Sequence, residues 1–352
     1  MGTSSLALTI EPLQASDHEA MRALALRSPD TGIVQFAQDL LVPQQVADRA
    51  LGDDSETFVA RQGEMLAGLA KVSYASIQYE GCVRPAGLLS SLMVYPDYRR
   101  RGIAAALASR RLEAVAERLG SDAVALANIQ EGNVGSLRAA AKWRTAQTRT
   151  FYLTTTPTKP SAAQADPRAL TVRLARVGDL EEVARGLGQF YDRADFYRPQ
   201  SPDSLLEWVA APDQSSSPRA YLMAVDAQGN IAAGLGLTYG YQFATLKLVR
   251  MPFWVRVLNM AVNQLPRDGV LRPASVDLFF HLPGRQDAAI SLWEAARSQW
   301  RRHAHILILG FDGQGPLGPL QKTLKLTQGT RLTTAVRADI PPDPARPFAP
   351  WL

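Results

Sequence analysis

Apolar and polar positions alternate through Leu88-Leu-Ser-Ser-Leu-Met-Val94, as they do in a strand, and Pro96 closes the run. After Gly102 the small or apolar residues Ala104, Ala108, Leu112, Val115 and Leu119 recur at helical spacing and predict one packed helix face. The same reading along the first half predicts strands over 7–11, 56–61, 65–79, 85–94, 122–129 and 147–154. It predicts helices over 16–27, 43–51, 102–119 and 133–142. A meander of strands followed by alternating helices and strands indicates a mixed α/β sheet.

The pattern then repeats. LTIEPLQASDHEAMRAL from Leu8 matches LTVRLARVGDLEEVARGL from Leu170, with Asp17 opposite Asp179 and Glu19 opposite Glu181. Further on, Ala67-Gly68-Leu69 falls opposite Ala233-Gly234-Leu235, each in a strand–turn–strand unit. Between the copies, TTTPTKPSAAQADPR lacks apolar periodicity and reads as a linker. The expected organisation is a domain over 1–156, a linker over 157–168 and a second domain over 169–352.

Composition adds limits. The chain has 352 residues, 46 % hydrophobic and 20 % charged, which suits two soluble cores. No apolar run reaches the ~18 residues of a membrane span, and the N-terminus lacks a basic signal region. A cytoplasmic protein without stable membrane insertion is expected. The single Cys82 excludes an internal disulfide, and four scattered histidines offer no metal-site pattern, so no metal is expected. The first 156 residues hold 16 basic and 16 acidic side chains, so the formal excess of +5 belongs to the remainder. That local neutrality counts against nucleic acid as a partner of the first half.

It also makes Arg99-Arg100-Arg101 a local device. The arginines and Gly102 lie in a turn between strand and helix, where unpaired N–H groups and the helix dipole favour an anion. Gly102 and Ala104 let a phosphate or pyrophosphate approach the backbone. This stretch resembles the acyl-CoA loop of the GNAT superfamily of N-acetyltransferases, [Arg/Gln]-x-x-Gly-x-[Gly/Ala], supplied here by Arg99, Gly102 and Ala104. Ala123–Ile129 resembles the family's next strand, and Asn133-Val-Gly-Ser-Leu-Arg-Ala-Ala-Ala-Lys-Trp143 its next helix.

The resemblance implies two GNAT-type acyl-CoA N-acyltransferase domains, each a mixed, mostly antiparallel sheet flanked by helices. It implies that amides from Arg100 through Arg101, Gly102 and Ile103 to Ala104 hold the CoA pyrophosphate. Leu92, Met93 and Val94 would pair with pantetheine, and Asn128, Asn133 and Ser136 would line the CoA arm. On the residues alone, Asn133 is equally a helix N-cap and Asn128 an ordinary strand end.

Acyl transfer needs a free amine, yet an amine of pKa ~10.4 is unprotonated in only a few parts in ten thousand at pH 7. The family's frequent Glu base and Tyr acid are replaced by Ser90 or Ser91 and by Ala140. A low-pKa acceptor, or a base from Glu131, Asp30 or the terminal carboxylate of Leu352, remains open. In the second copy, Leu282-Pro-Gly-Arg-Gln-Asp-Ala lacks the loop motif, and Asp287 would repel a pyrophosphate from its helix. A helix is expected after Gly313-Gln-Gly-Pro-Leu, and an amphipathic one over 251–265. The resulting expectation is acetyl transfer from acetyl-CoA to a small-molecule or peptide amine in the first half. The alternative is a non-enzymatic acyl-CoA-binding protein.

Overall fold

The computed structural model describes residues 7–30, 32–159, 170–210, 217–256, 265–266, 268–326 and 329–352. The linker expected over 157–168 therefore lies largely outside the described residues.

In the first half the strands are β1 (Leu8–Pro12), β2 (Gln35–Leu40), β3 (Ser55–Gln62), β4 (Met65–Tyr79), β5 (Cys82–Val94), β6 (Val124–Gln130), β7 (Ala146–Gln147) and β8 (Phe151–Pro157). Helices α1 (His18–Leu26), α2 (Gln44–Ala50), α3 (Ile103–Leu119) and α4 (Val134–Ala140) accompany them. The second half contributes β9 (Thr171–Leu174), β10 (Arg219–Val225), β11 (Ile231–Thr238), β12 (Ala244–Arg250), β13 (Val270–Leu271), β14 (Pro273–His281), β15 (Ile306–Phe311) and β16 (Thr330–Arg337). Its helices are α5 (Leu180–Phe190), α6 (Pro202–Val209) and α7 (Gln286–Gln299).

Both halves join in one 13-stranded sheet, in the order β1-β3-β4-β5-β6-β16-β8-β15-β14-β11-β10-β9, with β7 on β16. The halves exchange their last strands. β16 pairs with β6 of the first half, while β8 pairs along its length with β15 of the second. The sheet runs across the division expected at residue 156.

A second sheet, β13-β12-β2, also bridges the halves. Its β2 escaped the sequence reading because QFAQDL carries a buried Asp39 and finds its partner about 200 residues away. Asp39 is held by Arg22 at 2.6 Å and Lys247 at 2.8 Å, and the Arg22 hydrogen bond leads in keeping its carboxyl below the usual range.

The duplication is visible in the backbone. In β5 a bulge sets Ala70 opposite both Ser91 and Leu92, and Ser91 has φ 51°. In β14 a bulge sets Leu235 opposite Leu278 and Phe279, and Leu278 has φ 48°. Each bulged strand pairs in parallel with its neighbour only below the bulge: Ala86–Leu88 with Val124–Leu126, and Pro273–Val276 with Ile306–Leu309. Beyond those pairs the strands splay.

Three local expectations change. The buried residues of α3 are Ile103, Leu107, Ala108, Arg111, Ala114 and Val115, a face turned from the expected one because it includes a buried arginine. The segment after Gly313 forms a short 3-10 turn at Gly318–Leu320, where the Gly and Pro content opposes an α-helix. Of the helix expected over 251–265, a turn at 253–256 is seen, with Phe253 and Trp254 exposed, and residues 257–264 lie outside the described residues. Among the described residues no helix is long and apolar enough to cross a membrane.

Candidate acyl-CoA and acceptor site

The loop from Tyr95 to Gly102 carries the chain from β5 into α3 through a 3-10 turn at Pro96–Tyr98. Arg100 (φ 63°) and Gly102 (φ 81°) both take left-handed backbone conformations. The conformation is costly for a residue with a Cβ and nearly free for glycine. Their succession turns a series of amides outward. Among the described residues nothing accepts a hydrogen bond from the N–H groups of Arg100 to Ala104, whereas Ala105 and Ala106 already donate to Gly102 O. Five unpaired donors at the positive end of a 17-residue helix form a concentrated anion site.

The guanidinium groups are secondary. Arg99 Nε donates to Val94 O at 3.2 Å, and Arg101 lies 5.1 Å over the Tyr98 ring while donating to Gln62 at 3.4 Å.

From this loop the gap between the diverging β5 and β6 leads inward. Leu92, Met93 and Val94 lie beyond the parallel pairing, so their edge faces the gap and not β6. The bulge below them is clamped from α3. Arg111, 3 % exposed, donates from Nη1 to Ser90 O at 2.9 Å and to Lys71 O at 3.3 Å, and burial pushes its pKa down to about 10.

Asn133 is the N-cap of α4, its Oδ1 accepting from Ser136 N at 3.1 Å. Asn128 donates to Trp351 O at 2.6 Å and accepts from Thr334 Oγ1 at 2.8 Å, tying β6 to the tail of the chain and to β16. Both side chains therefore have protein partners.

Inside, a cavity of about 700 Å³ separates the halves. Ser90, Ser91 and Lys71 line it from the first half, and Arg198, Arg219 and Asp277 from the second. Lys71 Nζ contacts Asp48 at 2.8 Å and Asp53 at 2.6 Å. Burial alone would depress the Lys71 pKa, but these carboxylates outweigh it and raise the value. Asp277 sits at the β14 bulge and accepts from Thr238 Oγ1 at 3.0 Å, and burial raises its pKa.

Of the base candidates read from sequence, Glu131 is engaged by Thr150 and by Arg331 at 2.9 Å. Asp30 accepts from Phe36 N at 3.0 Å. Neither lines the cavity; Leu352 does, its side chain lying over Gly310. Ala140 is 2 % exposed in the first-half core. Sequence reading missed Lys71, Arg198, Arg219 and Asp277. The available signal was a charge inside an apolar strand, as in LAGLAKVSY and ASVDLFFH.

Residues 17–133 match a family model described as an acetyltransferase (GNAT) domain. A search of curated proteins finds no match. Among solved structures, the Saccharomyces cerevisiae N-myristoyltransferase with bound myristoyl-CoA aligns over 100 % of this chain and 90 % of its own, with TM-score 0.65 and 11 % identity. A GCN5-related N-acetyltransferase from Sphaerobacter thermophilus aligns over 94 % and 95 %, with TM-score 0.59 and 14 % identity. A tandem GNAT protein from the clavulanic acid biosynthesis pathway aligns over 96 % and 100 %, with TM-score 0.58 and 14 % identity. At such identities these likenesses concern the fold.

Proposed function

We propose, from the match of residues 17–133 to a GNAT domain model and the likeness of the whole chain to a tandem GNAT fold, that this chain is an acetyl-CoA-dependent N-acetyltransferase whose donor site lies in the first half. The observation that carries the reading is the row of unpaired amides from Arg100 to Ala104 at the start of α3. The pyrophosphate binds there, pantetheine runs along Leu92–Val94 in the gap between β5 and β6, and the thioester reaches the cavity beside Ser90 and Ser91. Asn128, Asn133 and Ser136 flank the CoA arm.

A primary ammonium of a small molecule or peptide enters from the cavity, releases one proton to solvent, and attacks the thioester carbon as the free amine. The C–N bond forms, the nitrogen gives up its second proton to solvent, the C–S bond breaks, and CoA leaves as a thiolate of pKa ~8.5 that is protonated from solvent. No metal takes part in this scheme, and the setting is the cytoplasm.

The test is heat stabilisation by acetyl-CoA, followed by free-thiol release with a panel of amines. Stabilisation that Gly102→Glu abolishes, with thiol release by the wild type, is the expected result. No stabilisation by acetyl-CoA refutes the donor site. A second reading, acyl-CoA binding without turnover, is favoured by Ser90, Ser91 and the buried methyl of Ala140 where a base and acid would stand. Stabilisation without thiol release from any amine selects it.

A further inference from the structure

Two arginines in the cavity lack partners. Arg198 and Arg219 form no ion pair and no side-chain hydrogen bond among the described residues. Their guanidinium groups lie over indole rings, Trp351 at 5.3 Å from Arg198 and Trp208 at 4.9 Å from Arg219. Arg219 Nε is shut off from solvent with nothing to accept its hydrogen. Other partly buried cations are answered by carboxylates, Arg61 by Glu11 and Asp17, Arg149 by Asp312 and Lys71 by two aspartates, while Arg111, whose Nε also lacks an acceptor, donates from Nη1 to two backbone carbonyls. Arg198 is solvent-exposed in the cavity and Arg219 half-buried, so the cost of a guanidinium N–H without an acceptor falls on Arg219 unless a ligand supplies one.

The surrounding charges indicate which ligand. Arg198 and Arg219 repel one another, and both are within electrostatic reach of Asp53 and Asp277 without an ion pair to either. The lining sets Lys71, Arg198 and Arg219 beside the carboxylates Asp53, Glu207, Asp277 and Asp312. With Asp53 and Asp277 near both arginines, a dianion is disfavoured relative to a molecule carrying one ammonium and one carboxylate. Arginine's planar fork matches a carboxylate with two parallel hydrogen bonds.

We propose that the acceptor is an amino-carboxylate, an amino acid or a close chemical relative, whose carboxylate is gripped by Arg198 and Arg219 while its amine points to Ser90 and Ser91. The inference rests on the N-acyl-transfer reading and supplies its substrate class. The second half, without a CoA loop, becomes the half that selects the acceptor.

The test uses the full chain and the variants Arg198→Met, Arg219→Met and the double variant, with N-acetyl amino acids and their C-terminal amides as probes. The expected result is heat stabilisation by the N-acetyl amino acids but not by the amides, lost in the double variant, with acetyl-CoA stabilisation unchanged. Without ligand, the variants melt near the wild-type temperature, because the charge loses an indole contact but no ion pair or hydrogen bond. With a turned-over amino acid, kcat/KM falls at least thirtyfold in each single variant.

Several results overturn the proposal: no stabilisation by any N-acetyl amino acid, equal stabilisation by acid and amide, stronger stabilisation by inorganic phosphate, or variants that melt several degrees lower without ligand. Loss of acetyl-CoA stabilisation in the wild type would instead remove the donor-site reading beneath it.

Discussion

The two halves share a strand, a bulge, a splayed parallel pair and a helix, and differ at the helix N-terminus. In the first half, Gly102 leads into α3 with Ala104 as its second residue, and five amides are left open. In the second half, Gly284 (φ 74°) also turns the chain, but Asp287 is the second residue of α7 and pairs with Arg285 at 3.3 Å. The clamps on the bulges differ as well. Arg111 holds Ser90 O, whereas the hydroxyls of Tyr221 and Tyr191 hold Leu278 O and Phe279 O at 2.9 and 2.8 Å. The backbone architecture is thus common to both halves, while the first helical turn differs. A carboxylate in that turn answers the dipole and would oppose an anion.

Moving that carboxylate into α3 has the largest expected effect. Ala104→Asp should weaken acetyl-CoA binding about a hundredfold, since an added charge near the pyrophosphate costs ~3 kcal/mol at an effective dielectric of 20. The same change should leave the unliganded protein as stable or slightly more so, because an acid in the first turn suits the helix. Calorimetric titration and melting together check both signs.

A smaller effect concerns packing. Gly87, four residues before the bulge, lies where a Cβ would come 2.3 Å from Val115 Cγ2, whereas the equivalent position in the second half is the fully buried Ala274. Gly87→Ala should cost about 1–3 kcal/mol, measured by denaturant unfolding. An unchanged midpoint would show that α3 can shift as freely as a surface helix.

The smallest effect lies where the halves meet. Asp195 accepts from Glu80 N at 3.0 Å and Arg346 Nε at 3.1 Å, and burial raises its pKa to about 6. The folded state then holds a proton that the unfolded chain has released between about pH 4 and pH 6. Stability contributed by this group therefore falls as pH rises through that window and levels off above it. Asp195→Asn should flatten that part of the melting-temperature profile. An unchanged slope would contradict the assignment.

Much of this was legible in sequence where the signal was local. β4 over 65–79, the turn into α3, and the lost motif around Gly284–Asp287 each rest on neighbouring residues. The strand exchange between β8 and β16 was not legible, because each strand is completed by residues from the other half. The cavity charges were equally hidden. Arg198, Arg219 and Asp277 belong to separate segments, and only the fold brings them together.

The proposed donor site belongs to one half alone. Isothermal titration of the full chain with acetyl-CoA decides this, comparing wild type, Gly102→Glu and Gly284→Glu. The expected result is one site per chain, abolished by Gly102→Glu and unchanged by Gly284→Glu; two sites, or binding that survives Gly102→Glu, would contradict the account.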